Sequence, residues 1–181
     1  MTAFVDCGAF RGKALGWARK RYGDKCSLYA FECNPHIPHS YGKDVKTIEK
    51  AVWVSDGNLR FYMNIKKPTI EGHSVYKNKT TGNLDKEHPV IVESIDFSNW
   101  LKKTFKENDI VIVKMNVEGA EYDVLEKCVK DGTMTIIKEL HIQWHYKKIP
   151  GLENRHRELL EQLNKIVSLK LFNGYGNLKV A

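Results

Sequence analysis

Short apolar runs alternate along the chain with stretches in which apolar residues recur every three or four positions. Residues 3–5 form a first buried run, and residues 6–12 follow as a glycine-containing turn. Residues 13–22 then show helical spacing, and residues 27–31 form a second apolar run that ends at Glu32. The pattern predicts a strand, a glycine turn, a helix and a second strand, in that order.

The middle of the chain has a different pattern. Residues 46–54 are predicted to form a third strand, and residues 59–65 to pair with it as a hairpin across the turn at residues 55–58. Residues 66–89 hold few apolar residues and many of Lys, Thr, Gly, Asn and Pro. Loops of this length inside compact domains are usually lids or disordered segments, so we predict a mobile loop over residues 66–89.

The second half of the chain returns to alternating strands and helices. The predicted elements are a strand at 90–95, a helix at 97–105, a strand at 110–113, a helix at 120–130, a strand at 136–144, a helix at 155–167 and a closing hairpin at 169–180. Alternation of this kind produces parallel strands joined by right-handed crossovers. We therefore predict an α/β fold with a doubly wound, mostly parallel sheet that ends in an antiparallel hairpin, in a single domain of residues 1–181.

Composition and charge narrow the class of protein. The 181 residues are 42% apolar and 28% charged, a balance typical of a globular domain. The net charge of +7 is spread in small groups of lysines, which indicates either a solvated basic face or an attraction for phosphate-bearing partners. No apolar run approaches the roughly 18 residues of a membrane span, so no membrane partner is expected. The four cysteines show no C-x-x-C spacing and no secretory leader pattern begins the chain, which predicts a cytoplasmic location.

The first glycine turn and Glu32 give the first indication of a ligand-binding site. In open α/β sheets the ligand lies beyond the carboxyl ends of the strands, against the first glycine turn, where Gly8 and Gly12 are placed. A dinucleotide fingerprint would need a further glycine at the position of Phe10, so NAD is disfavoured. Glu32 follows Gly12 by 20 positions, which suits a carboxylate that accepts hydrogen bonds from a ribose diol. A nucleoside without a pyrophosphate fits both observations, and S-adenosylmethionine is the common one.

Four segments in order resemble the FkbM-type methyltransferase family: residues 4–12 (FVDCGAFRG), 30–35 (AFECNP), 51–57 (AVWVSDG) and 113–121 (VKMNVEGAE). The resemblance implies a class I, Rossmann-like methyltransferase fold and S-adenosyl-L-methionine as the cofactor. It also implies that the methyl group is transferred to a hydroxyl of a sugar or another small polar acceptor, so that a small-molecule or glycan partner is expected.

The resemblance further implies a set of cofactor-binding residues. They are Asp6, Gly8 and Ala9 for the methionine part, Glu32 for the ribose hydroxyls, Ala51 and Val52 for the adenine edge, and Phe10, Cys33 and Asn116 beside them. The reasoning from residue types agrees independently for Gly8 and Glu32.

One departure from the family pattern concerns the catalytic group. The family usually has Asp where this chain has Asn116, and an amide cannot accept a proton at neutral pH. A base is therefore expected on the neighbouring predicted strands, where polar residues alternate with apolar ones. Glu118 shares a strand side with Asn116, and Glu139 shares one with His141.

Polar residues in such alternation are expected to reach a cavity or a polar partner. A histidine suits removal of a hydroxyl proton, so His141 is predicted as the base, with Glu118 and Glu139 next and Asn116 beside them. A purely structural role for His141 and Glu139 is the alternative. The spacing of His141 and His145 would suit zinc on a helix, but the apolar alternation predicts a strand, and no metal site is expected.

Three alternatives remain open on the sequence alone. The 66–89 loop either closes over an acceptor through its polar residues, His73, Ser74, Tyr76, Lys77 and Lys79, or is a plain flexible loop. The pI near 9.1 and the basic 66–89 loop are also compatible with a methyltransferase that acts on RNA or another nucleic acid. Asn116, finally, is compatible with a non-catalytic module that binds S-adenosylmethionine.

Overall fold

The structure is a computed structural model, and it describes residues 1–171. The strands in this range are β1 Thr2–Cys7, β2 Ser27–Phe31, β3 Val45–Ile48, β4 Ala51–Trp53, β5 Gly57–Phe61, β6 Val90–Asp96, β7 Ile110–Met115, β8 Ile137–Ile142 and β9 Ser168–Leu171. The α-helices are α1 Lys13–Tyr22, α2 Phe97–Thr104, α3 Glu121–Lys130 and α4 Glu153–Leu163. Short 3₁₀ turns at Thr133–Ile136 and Tyr146–Lys148 flank β8.

The main sheet has six strands in the order β3-β2-β1-β7-β8-β9, and every adjacent pair is parallel. From β1 the chain builds outward through β2 and β3, and it then returns to the other side of β1 with β7. The strand order therefore reverses between β1 and β7, which is the point where doubly wound sheets bind ligands. The predicted α/β class and parallel sheet are confirmed.

A second sheet corrects the sequence-based account of residues 46–65. The predicted strand over residues 46–54 is two strands, because the chain leaves the main sheet after β3 and enters a three-stranded sheet of order β4-β6-β5. The predicted hairpin across residues 55–58 is wrong, since β5 pairs antiparallel with β6 and β4 pairs parallel with β6. A period of two shows that a segment is extended but not which distant strand it pairs with.

Apolar layers cover both faces of the main sheet. Along β1, Phe4 packs towards α1 with Leu15, whereas Ala3 and Val5 pack into the larger cluster on the opposite face. That larger cluster includes Leu101 of α2 and residues of α3 and α4. The alternation along β1 therefore assigns each side chain to one of two layers.

The remaining predictions concern the loop and the chain end. Residues 66–89 contain no helix or strand beyond one bridge between Tyr62 and Ser74, and their mobility stays a prediction. The predicted hairpin at 169–180 begins in β9, and its remainder, with Gly174 and Gly176, lies outside the described residues. Within residues 1–171, no helix is both long and apolar enough to cross a membrane.

Candidate functional site

A cavity opens beyond the carboxyl ends of β1, β2 and β7, at the reversal of strand order. Its open space, including the mouth and the solvent in it, measures about 720 Å³. Three parts of the chain meet there: the ends of the main strands, the second sheet and residues 70–75. The residues of its wall include Gly8, Phe10, Glu32, Asn34, Ala51, Val52, Phe61, Gly72, His73, Asn116 and Glu118.

The glycine turn after β1 forms one wall. Gly8 has φ 77°, and a Cβ at this position would lie 2.2 Å from the backbone oxygen of Asn116. The N–H groups of Gly8 and Ala9 donate to the carbonyl of Phe31, at 3.0 and 2.9 Å. The positive φ and the close approach to Asn116 together explain why residue 8 is glycine.

Glu32 lies at the end of β2, as predicted, and its carboxylate is fixed by the backbone. One oxygen accepts the N–H of Phe10 at 2.8 Å, and the other accepts the N–H of Asn34 at 2.8 Å. A carboxylate has about four acceptor positions, so each oxygen keeps capacity for a further donor. Glu32 therefore joins the glycine turn to the cavity and presents two oriented acceptors.

Most of the residues implied for cofactor binding line the cavity, namely Gly8, Phe10, Glu32, Cys33, Ala51, Val52 and Asn116. Asp6 and Ala9 do not. Ala9 is buried with the α1 layer. Asp6 lies on the same side of β1 as Phe4, where it forms an ion pair of 2.8 Å with Lys114, both side chains being fully buried. Its position results from the alternation of side chains along the strand.

Lys114 connects this ion pair to the cavity wall. Its ammonium group donates to the carbonyl oxygen of Gly8 at 2.7 Å as well as contacting Asp6. Burial raises the pKa of Asp6, and the charge of Lys114 opposes that rise. Lys114 therefore links the carboxylate of Asp6 to the backbone of the glycine turn.

Asn116 and Glu118 line the cavity just after β7. The Oδ1 atom of Asn116 is buried and has no hydrogen-bond partner among residues 1–171. Glu118 has φ 51°, and its carboxylate contacts Lys79 at 2.9 Å and His145 at 3.3 Å. Although burial alone would raise it, the pKa of Glu118 is held far below its usual range by His145 and Lys79. Glu118 is therefore ionised and a weak proton acceptor.

His145 is the second buried partner of these carboxylates. Its Nδ1 lies 2.9 Å from the buried carboxylate of Glu121, which also accepts the N–H of Gly119 at 2.8 Å. Burial lowers the pKa of His145, but Glu118 and Glu121 outweigh it and raise the value to about 9. The cationic imidazole therefore joins the turn after β7 to the segment after β8.

His141 and Glu139, the predicted base and its neighbour, lie elsewhere. They contact each other on the α1 side of β8, where the ring of His141 lies 5.4 Å from that of Trp17. Glu139 also accepts a hydrogen bond of 3.3 Å from Tyr22 and pairs with Lys170 at 3.1 Å. Neither His141 nor Glu139 lines the cavity. The side chains of His141 and Glu139 were expected to reach the cavity. They do not, because their side of β8 is covered by α1.

Several cavity residues were missed in the sequence or assigned only to a loop. Phe61 comes from the second sheet, whose pairing was predicted wrongly, and Asn34 lies two residues after Glu32. His73 belongs to residues 66–89, which show no periodicity that would indicate burial, yet its side chain is only 6% exposed. Among residues 1–171, no three His, Cys, Asp or Glu side chains come together as a metal site.

The chain matches a known protein family. A family model described as Methyltransferase FkbM domain matches residues 6–169, from β1 to β9. Comparisons with curated proteins and with solved structures find no match to the chain.

Proposed function

The chain belongs to the FkbM methyltransferase family, and from this premise we propose that it transfers a methyl group from S-adenosylmethionine to a hydroxyl of a sugar or another small polar acceptor. The observation that carries the proposal is the cavity at the reversal of strand order, in which Glu32 and the Gly8 turn form adjoining walls. We place this activity in the cytoplasm.

The residues present fit the cofactor. The two oxygens of Glu32 suit the ribose hydroxyls, because a fixed carboxylate can accept both. The unpartnered Oδ1 of Asn116 suits the ammonium of the methionine part, since a buried acceptor without a donor is costly. Ala51, Val52 and Phe61 supply apolar surface for the adenine ring.

When bound, S-adenosylmethionine supplies an electrophilic methyl group, whose transfer forms a carbon–oxygen bond, leaves the electron pair of the broken carbon–sulfur bond on sulfur and releases one proton. Neither Asn116 nor Glu118 is a strong base for that proton, because Asn116 is an amide and Glu118 is held ionised by Lys79 and His145. We therefore assign the catalytic effect chiefly to alignment of the acceptor with the methyl group, with the proton leaving to solvent.

Glu32→Gln tests the placement of the cofactor. We expect S-adenosylhomocysteine to bind about 1–3 kcal/mol more weakly, because the amide removes a charged acceptor from the ribose hydroxyls. Isothermal titration calorimetry measures the change. The matched control is Glu49→Gln, which alters an exposed carboxylate outside the cavity and should leave the affinity unchanged. Equal affinities for wild type and Glu32→Gln would contradict the placement.

The reaction itself is tested by release of S-adenosylhomocysteine with a panel of acceptors. The panel contains methyl α-D-glucopyranoside, glucuronic acid, myo-inositol, uridine and a short RNA. Turnover with a sugar or polyol supports the proposal, whereas turnover confined to RNA contradicts the small-acceptor assignment. Cofactor binding with no turnover across the panel contradicts the methyl-transfer proposal.

A further inference from the structure

His73 is a buried cavity residue to which neither the family match nor the mechanism above gives a role. Its side chain lines the cavity and is 6% exposed. Its Nε2 atom is buried and has no hydrogen-bond partner among residues 1–171. Because nearly all buried polar groups in proteins are satisfied, an unpartnered imidazole nitrogen in a cavity wall indicates a missing ligand.

Asn34 determines which nitrogen of His73 carries the proton. The Nδ2 atom of Asn34 donates to the carbonyl of Pro68 at 2.8 Å and lies 3.2 Å from His73 Nδ1. The Oδ1 atom of Asn34 accepts the N–H of His36 at 3.0 Å, so both ends of the amide are assigned by backbone partners. Nδ1 of His73 therefore accepts from Asn34, and the proton of the neutral ring lies on Nε2.

The surroundings also favour the neutral ring. Burial lowers the pKa of His73, the charges of Lys79 and His36 lower it further, and Glu118 opposes them. A neutral imidazole with this tautomer is a hydrogen-bond donor at Nε2. It is not a base there.

The residues on both sides of His73 are attached to Glu118. Ser74 donates to the carbonyl of Glu118 at 2.7 Å, and Lys79 contacts both the carbonyl of Gly72 and the carboxylate of Glu118. His73 is thus held near the turn after β7. The ring of His73 also lies edge-on to that of Phe61, at 6.0 Å. The polar groups of the cofactor are assigned to Glu32 and Asn116, which leaves the Nε2–H of His73 available to a second ligand.

We propose that His73 donates its Nε2–H to an oxygen of the methyl acceptor, and that the acceptor class is one with a hydrogen-bond-accepting oxygen at or beside the methylated hydroxyl. The inference rests on the proposed function and makes His73 a residue that contacts substrate. The donor geometry is fixed before substrate binds, because Asn34 and the ties to Glu118 hold the ring.

The first test measures the tautomer directly. Long-range ¹H–¹⁵N correlation spectra of uniformly ¹⁵N-labelled protein report the protonation of each imidazole nitrogen, and His73→Gln assigns the signal. We expect a neutral ring protonated at Nε2 at pH 7. A ring protonated at Nδ1, or an imidazolium, would overturn the proposal. This measurement needs no acceptor, so its result does not depend on whether the proposed function is correct.

The second test uses the acceptor of the panel that the wild type methylates. His73→Ala should raise the KM for that acceptor about 10-fold, since a donor to substrate is lost, and should change the Kd of S-adenosylhomocysteine less than twofold. His73→Gln keeps an N–H at a similar reach and should recover most of the loss with an unchanged pH profile. His88→Gln, an exposed change in the same loop, is the control.

Three results would count against His73 as the donor. An equal loss of S-adenosylhomocysteine affinity in His73→Ala would place the cofactor against His73. A Gln variant as inactive as Ala, with one limb of the pH profile lost, would identify His73 as a base. A wild type that binds S-adenosylhomocysteine but methylates no acceptor would refute the proposed function, and the acceptor role of His73 with it.

Discussion

Gly8 and Glu32 fix the same turn from two directions. The N–H of Gly8 donates to Phe31, while the carboxylate of Glu32 accepts the N–H of Phe10 two residues further along. Gly8 also approaches the backbone of Asn116 so closely that a side chain would overlap it. At the scale of single residues, the site depends on the left-handed backbone conformation of Gly8 and on the carboxylate of Glu32.

Gly8→Ala should lower both stability and cofactor affinity. The αL conformation alone costs a non-glycine residue about 1–2 kcal/mol, and the added Cβ must also displace Asn116. Gly16→Ala is the matched control, because Gly16 lies inside α1 with nothing within 4 Å of an added Cβ, so helix propensity should make it neutral or stabilising. Thermal unfolding and calorimetry with S-adenosylhomocysteine measure both. A Gly8→Ala protein as stable as Gly16→Ala would contradict this account.

At the scale of elements, β1 and β7 are joined by a buried ion pair as well as by their backbone hydrogen bonds. Asp6 and Lys114 are paired in register on these strands, and both are fully buried. A buried ion pair recovers little more than its own desolvation cost, so it is weak evidence for stability. The contact from Lys114 to the carbonyl of Gly8 indicates instead that the pair positions the turn between β1 and α1.

A double variant separates positioning from stability. Lys114→Met alone should destabilise the protein by about 3–5 kcal/mol, because it leaves the carboxylate of Asp6 buried without its cation. Adding Asp6→Leu should restore most of that stability, as measured by urea unfolding. The affinity for S-adenosylhomocysteine should stay reduced in the double variant, since the carbonyl of Gly8 has lost its donor. Wild-type affinity in the double variant would show that the pair has no positioning role.

At the scale of the whole molecule, one buried network joins segments that are far apart in the chain. Glu118 follows β7, Lys79 comes from the 66–89 loop, and His145 follows β8. Glu121, at the start of α3, completes the network. Because each charge is satisfied only when all the segments are in place, this network links closure of the cavity wall to the stability of the fold.

His145 gives the molecule a pH-dependent stability with a definite sign. Its folded pKa of about 9 lies above the unfolded value near 6.5, so its contribution is complete below pH 6.5 and is lost as the pH rises through 9. The loss should be on the order of 3 kcal/mol. Urea unfolding of wild type and His145→Gln between pH 6.5 and 9 measures it, because other titrating groups cancel in the difference. Parallel curves for the two proteins would contradict the assignment.

Local sequence pattern was enough to predict the α/β class and most of the strands and helices, although it merged β3 and β4 into one strand. Apolar periodicity and glycine punctuation are local signals, and they located α1, β2 and the strand–turn–helix unit around Gly8 because those features depend on neighbours within one or two turns. The same local logic placed Glu32 at the end of a strand, since a strand end is visible as the end of an apolar run.

Which polar residues line the same cavity depends on the tertiary structure and could not be predicted from the sequence. Local pattern cannot show that β5 crosses to β6, that α1 covers His141, or that residues 66–89 bring His73 to the wall, because each depends on packing between segments far apart in the chain. A strand's alternation gives two sides but does not say which one faces a ligand. The ends of α1 and β2 were therefore readable from the sequence, whereas the partners of the strands in the second sheet were not.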